Sequence, residues 1–147
     1  MKRILIATDG SAGGREAVEY GLDFARSSHA SATVVYVRRA PRPLVGERFY
    51  ERETSEEPRK AADHALKVAG ELGVETDVEI VEGDPATRII ELARLRESDL
   101  IVLGSRNRGP LAAALLGSVS RDVVSRADRP VLVAHTSDDR RRVLATA

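Results

Sequence analysis

The sequence predicts an α/β fold built on a single doubly wound, five-stranded parallel sheet with helices on both faces. Short apolar runs alternate with longer segments of helical periodicity along the 147 residues. Most of the strand candidates are almost continuously apolar, as expected where helices cover both faces of a sheet. Right-handed crossovers and two mononucleotide-type halves then predict the strand order 3-2-1-4-5.

The predicted elements follow one another in strict alternation. The strands are expected at Arg3–Thr8, Thr33–Arg38, Glu75–Val81, Asp99–Leu103 and Pro130–His135. The helices are expected near Ser11–Ser28, Glu57–Leu72, Pro85–Glu97 and Ser118–Ala127. The third strand alternates apolar and polar residues, which predicts an edge position.

Capping chemistry explains several of these boundaries. Ser11 can cap the first helix, and Asp84 places a carboxylate before Pro85 at the first helical position of the third. Gly70 and Gly73 bracket the end of the second helix. The stretch from Arg39 to Glu56 lacks periodicity and is predicted to be a long surface connection, either inert or a lid.

Composition excludes several classes of protein. The 23 basic and 23 acidic side chains cancel and aromatic residues make up 3%, so no broad nucleic-acid-binding face is expected. The absence of cysteine excludes disulfides and thiolate chemistry. No apolar run is long enough for a signal sequence or a membrane span, which predicts a cytoplasmic protein without membrane contact. We expect one domain over residues 1–136 and a flexible tail over 137–147.

The most informative stretch is a glycine-punctuated loop between a strand and a helix. Gly104 ends the apolar run from Leu100, and Gly117-Ser118 open a segment with helical spacing from Val119. Free backbone N–H groups and the positive dipole end of such a helix attract anions. The alternative is an ordinary strand-to-helix loop with a serine near the helix cap.

The predicted strand order brings a second turn to the same place. Connections diverge between strands one and four, which opens a crevice at their carboxyl ends where such sheets bind ligands. Asp9 leaves strand one there, and its carboxylate can accept hydrogen bonds from a base or ribose. An Asx turn or a helix cap is the alternative role for Asp9.

Most of the chain resembles the universal stress protein family. The resemblance is carried by ILIATDGS near the start, GDPATRIIELARLRESDLIVLGS, and GSVSRDVVSRADRPVLVA near the end. The nucleotide-binding branch of that family has the pattern Gly-x-x-Gly-x9-Gly-Ser/Thr. Gly104, Asn107, Gly117 and Ser118 occupy these places. Asn107 departs from glycine: asparagine tolerates positive φ, but its side chain narrows the room for a phosphate.

The resemblance implies a stress-response regulatory protein that binds ATP or AMP, with Mg²⁺ held through the phosphates. It places on the adenine and ribose side Ala7, Thr8, Asp9 and Val37. It places around the phosphates Gly104, Asn107, Gly117, Ser118 and Val119. Arg106, in the same loop, either reaches a phosphate or faces solvent.

The family also forms dimers through its last strand, here Val131, Leu132 and Val133. This strand is apolar and lacks the charges that protect an open edge from pairing. The resemblance therefore implies a homodimer and an unidentified protein partner. The branch of the family that does not bind nucleotide, and acts through dimer contacts alone, remains the alternative.

Enzyme functions find little support in the residues. No catalytic residue is predicted, because His29, His64 and His135 have no evident partner in sequence and no nucleophile, zinc or Walker motif occurs. Slow ATP hydrolysis through bound Mg²⁺ stays open. A phosphorelay receiver would need an aspartate where Val81-Glu82 stand, and a flavodoxin-like protein would need a hydroxyl-rich loop after strand one.

Overall fold

The computed structural model describes residues 1–39, 56–105 and 117–135. The strands are β1 (Arg3–Thr8), β2 (Ser31–Arg38), β3 (Thr76–Glu82), β4 (Leu100–Gly104) and β5 (Val131–Ala134). The helices are α1 (Ala12–Ser28), α2 (Glu56–Leu72), α3 (Pro85–Leu95) and α4 (Ser118–Arg126). Most of the long connection after Arg39, and the tail at 137–147, lie outside the described residues.

The strands form one parallel sheet in the order β3-β2-β1-β4-β5, which confirms the predicted fold class and topology. The central position of β1 shows in its register, where Ile6 pairs with Val34 on one side and with Val102 on the other. The edge position predicted for β3 is also correct, and all its residues are half-buried or exposed, Ile80 to 46%.

Two apolar cores flank the sheet. Because successive strand side chains point to opposite faces, Ile4 and Ile6 of β1 enter the core beneath α1 and α2, while Leu5 and Ala7 enter the core beneath α3 and α4. This burial on both faces explains why β1, β2 and β4 are nearly continuous apolar runs.

The boundaries differ from the predicted ones by one or two residues. Strand β2 starts at Ser31, because the Ser31 N–H already donates to the Lys2 carbonyl at 2.9 Å. Helix α3 ends at Leu95, since Glu97 adopts a φ of 51° and so lies outside the right-handed helical region. Within the described residues, no helix combines the length and apolar character needed to cross a membrane.

Two helical glycines in different surroundings give a matched test of this packing. A Cβ at Gly21 of α1 would stand 2.7 Å from Cδ1 of the fully buried Ile6, whereas a Cβ at Gly70 of α2 would meet nothing within 4 Å. Gly21→Ala should therefore destabilise the protein by about 1–3 kcal/mol through overpacking. Gly70→Ala should stabilise it by about 0.5–1 kcal/mol, because alanine restricts the unfolded chain.

Urea unfolding of both variants measures these changes. Equal effects of the two substitutions would contradict the close packing of α1 against β1.

Candidate functional site

A cavity of about 210 Å³ opens at the carboxyl edge of the sheet, where β1 and β4 lie side by side. It lies where a doubly wound sheet is expected to bind ligands. Its lining includes predicted site residues from three strands and α4: Ala7, Thr8, Asp9, Val37, Gly104, Gly117 and Val119.

The remaining predicted site residues are placed differently. Ser118 is exposed and begins α4 directly after Gly117, but it is not part of the cavity lining. Arg106 and Asn107 lie outside the described residues. The two sequence-distant turns nevertheless border the same cavity, which is the spatial relation that the strand order predicts.

Close backbone contacts form the floor of the cavity. A Cβ on Gly104 would collide with the carbonyl oxygen of Gly13 in the first turn of α1. A Cβ on Gly14 would come within 2.6 Å of Oγ1 of Thr8. Glycine is thus needed at both places to let the end of β4, the start of α1 and the end of β1 meet. The structure thus gives Gly104 a packing role, and the phosphate contact expected for it from the sequence stays a prediction.

Asp9 adopts the Asx turn that was one of its two expected roles. Its Oδ1 accepts hydrogen bonds from the N–H of Ser11, at 3.0 Å, and from the Ser11 hydroxyl. The Ser11 hydroxyl oxygen in turn accepts from the N–H of Gly14 at 3.2 Å and caps α1, as expected. These contacts hold the Asp9 carboxylate at the cavity wall.

Helix α4 begins at the opposite side of the cavity without a side-chain cap from the described residues. Its N-cap is Gly117, and the N–H of Arg121 makes the first helical hydrogen bond, to the Gly117 carbonyl at 2.9 Å. The preceding N–H groups of the first turn have no partner within the helix. The buried Ser120 hydroxyl donates to the Gly104 carbonyl at 3.1 Å and fixes this end of α4 to β4. The start of α4 therefore presents backbone N–H donors and the positive end of the helix dipole, which suit an anion.

The other side of the cavity is largely apolar. Val37 of β2 and Pro85 and Ile89 of α3 contribute apolar side chains there, and Ala7 and Leu103 add apolar lining from β1 and β4. An apolar pocket with a few convergent polar groups is the common form of a small-molecule site.

Sequence reasoning missed several lining residues, among them Tyr36, Arg39, Glu57 and Ser105. Arg39 and Glu57 flank the long connection, and both ends of that connection return to the carboxyl edge of the sheet. Ser105 directly follows β4 and is 1% exposed. The available signal for Arg39 and Ser105 was their position just after predicted strands, whereas Tyr36 and Glu57 lie inside predicted elements and gave none.

The described residues contain no cluster of three or more His, Asp or Glu side chains that could hold a metal ion. His64 has a partner that sequence reasoning did not find, since its Nε2 lies 3.3 Å from Oε1 of Glu19 across α1 and α2. His29 ends α1 in the left-handed conformation. None of the three histidines lines the cavity.

Asp84 caps α3, the helix that supplies Pro85 and Ile89 to the cavity wall. Its Oδ2 accepts from the N–H and the hydroxyl of Thr87 at 3.1 and 2.8 Å. These hydrogen bonds lower the pKa of the Asp84 carboxyl below its ordinary value, and the positive charges of Arg126 and Arg39 lower it further.

Comparisons with known proteins agree on one family. Residues 1–135 match the universal stress protein family. A universal stress protein of Methanocaldococcus jannaschii is 37% identical over 138 residues, covering 90% of this chain and 81% of the relative. A Burkholderia pseudomallei protein of the same family superimposes with a TM-score of 0.72 at 29% identity, covering 90% of this chain and 95% of that one. A universal stress protein crystallised in complex with cAMP gives a TM-score of 0.72 at 25% identity, covering 92% and 98%.

The Asp84 cap predicts a pH-dependent contribution to stability. Asp84→Ala should destabilise the protein by about 1 kcal/mol near pH 7. Because folding lowers the pKa of this carboxyl, the contribution of the charged form is complete above the unfolded value of about 3.9 and is lost as the pH falls through the folded value. The stability difference between the natural protein and the alanine variant should therefore shrink in acid, as measured by urea unfolding at several pH values.

Asp84→Asn is the matched control, since an asparagine also caps a helix but does not titrate. The difference in free energy of unfolding between Asp84→Asn and Asp84→Ala should not change with pH. A natural-to-alanine difference that stays constant into acid would contradict the assigned pKa shift.

Proposed function

Since the chain belongs to the universal stress protein family, we propose that it is a regulatory protein that binds an adenine nucleotide, AMP or ATP, in the cavity between β1 and β4. The observation that carries this proposal is the polarity of the cavity. One wall is apolar and accommodates a base, and the opposite side presents the uncapped start of α4 to a phosphate.

The charge distribution around the cavity supports the same orientation of the ligand. The first turns of α1 and α4 carry no acidic residue, whereas α2 begins with Glu56 and Glu57. A phosphate therefore meets less repulsion at the α4 side, and Asp9 remains beside the expected ribose as a hydrogen-bond acceptor. The cAMP bound by the universal stress protein of similar fold provides independent support for an adenine nucleotide.

The proposal assigns the chain a binding role and no catalytic residue. Where ATP is the ligand, Mg²⁺ is held chiefly through its phosphates. Any hydrolysis is expected to be slow, because the proposal assigns no residue as a general base. Nucleotide occupancy alters the surface that the neighbouring connection and the dimer present to a protein partner.

The proposal also includes a homodimer through β5. This strand lies at the edge of the sheet, and Val131, Leu132 and Val133 are only half-buried in the single chain. Val131 and Leu132 pack partly against the two cores, whereas Val133 belongs to neither among the described residues. Pairing with a second copy would bury this apolar edge and complete its backbone hydrogen bonds.

Nucleotide binding is tested by calorimetric titration and thermal shift with AMP, ATP-Mg²⁺ and cAMP. We expect saturable binding, with stabilisation of about 2.7 kcal/mol at a ligand concentration one hundred times Kd. No binding of any of the three would overturn the proposal. It would favour the alternative in which the protein acts through dimer contacts alone.

Gly117 gives a test of the phosphate position. Its φ of −61° accepts any side chain, and aspartate or asparagine at a helix N-cap preserves or slightly raises stability. Gly117→Asp should weaken nucleotide binding at least tenfold, because its carboxylate occupies the N–H groups and repels the phosphate. Gly117→Asn, nearly identical in shape and neutral, should weaken it less. If both variants bind like the natural protein, the phosphate does not lie at α4.

The dimer is tested by an apolar-to-lysine exchange at the edge. Val133→Lys should convert the dimer to a monomer in light scattering after size exclusion, because a lysine on an edge strand opposes pairing. Leu95→Lys is the control, since Leu95 is 76% exposed at the end of α3 and lies beside Glu75 and Asp77, toward the opposite sheet edge. A natural protein that is monomeric at high concentration would refute the dimer.

A further inference from the structure

Arg39 is a charged lining residue of the cavity that the nucleotide proposal has not yet used. It directly follows β2 and is exposed at the cavity rim. Its guanidinium forms no hydrogen bond or ion pair with any other residue in the described ranges. An arginine in this state is available for a ligand.

The position of Arg39 in the fold separates it from the start of α4. Strands β2 and β4 are two strand spacings apart, with β1 between them, which amounts to about 10 Å. Arg39 therefore shares its side of the cavity with Val37, Pro85 and Ile89, the apolar wall.

The charge of Arg39 also influences a group on this side of the cavity. The pKa of Asp84, at the start of α3, is lowered chiefly by the Thr87 hydrogen bonds. The charges of Arg126 and, to a smaller extent, Arg39 lower it further. The charge of Arg39 therefore acts at the start of α3, the helix that supplies Pro85 and Ile89 to the cavity lining.

We propose that the Arg39 guanidinium stacks on the exposed face of the nucleotide base and makes affinity depend on the base rather than on the phosphates. This inference rests on the proposed nucleotide function and adds a specificity-determining residue to it. The guanidinium is planar and weakly hydrated, and such groups stack on aromatic faces while their edges remain in water. Apolar lining residues on this side, Val37 and Ile89 among them, suit one face of the base, and the exposed Arg39 is free to cover the other.

A phosphate contact is the competing role for an arginine near a nucleotide. Gly117 begins α4, which follows β4, whereas Arg39 follows β2, so a contact with a phosphate held at Gly117 requires the side chain to extend across the end of β1. The two roles predict different dependences on the ligand. Stacking acts equally on every adenine ligand, whereas a phosphate contact gains strength with each phosphate.

The experiment measures the affinities of the natural protein and of Arg39→Ala for AMP, ADP and ATP by calorimetric titration. Stacking predicts a loss of about 3- to 30-fold that is the same for all three ligands. Arg39→Lys should recover only part of this loss, because an ammonium group retains the charge but not the planar surface.

Arg38→Ala is the matched control. Arg38 is the neighbouring exposed arginine at the end of β2, it does not line the cavity, and its removal changes the net charge equally. It should bind all three nucleotides like the natural protein, which separates a local contact from a general electrostatic effect.

Three results would overturn the inference. A loss that grows from AMP to ATP would assign Arg39 to the phosphates, and unchanged affinity would remove it from the site. Equal losses in Arg38→Ala and Arg39→Ala would reduce the effect to net charge. If the natural protein binds no nucleotide, the proposed nucleotide-binding function is refuted as well. That result differs from a loss of affinity that occurs only in the variants.

Discussion

The contact between the end of β4 and the first turn of α1 is the constraint on which the cavity depends. The backbone of Gly104 lies directly against that of Gly13, with no space for a side chain between them. Gly14 makes a similarly close approach to Thr8 at the end of β1. Segments almost a hundred residues apart are thereby joined, and the Ser120 hydrogen bond to the Gly104 carbonyl adds α4 to the same junction.

The glycines at this junction have two effects in the same place. Tight packing excludes a side chain, and the same exclusion leaves an open surface at the carboxyl edge of the sheet. A glycine-rich pattern in this family can therefore reflect helix-to-strand packing as well as ligand binding. In this chain the structure supplies the packing reason for Gly104 directly, while its contact with a phosphate remains part of the proposed function.

The fold could be predicted almost completely because its signals are local. Apolar runs predicted β1 and β4, capping chemistry predicted the starts of α1 and α3, and the rules for parallel sheets then fixed the strand order. The ends of elements were less accurate, since the positive φ of Glu97 that follows α3 has no clear sequence signal.

The cavity lining was predicted only in part, and the physical reason is distance along the chain. Ala7 lies near the end of β1, and Asp9 and Gly117 lie in the connections beside strand ends, so their positions follow from topology. Arg39 and Glu57 line the cavity because the end of β2 and the start of α2 converge there. The contact of His64 with Glu19 depends on how α2 packs against α1. Such relations are set by the tertiary arrangement and leave no periodic pattern in the sequence.

The central place of β1 has a consequence for biosynthesis. Its partner β2 follows after one helix, but its other partner, β4, is synthesised more than ninety residues after β1 begins. Until then one side of β1 is an open, apolar edge, a state that favours association of nascent chains. Helix α1 packs on one face of β1 and is synthesised directly after it, so it can cover that face before β4 is made.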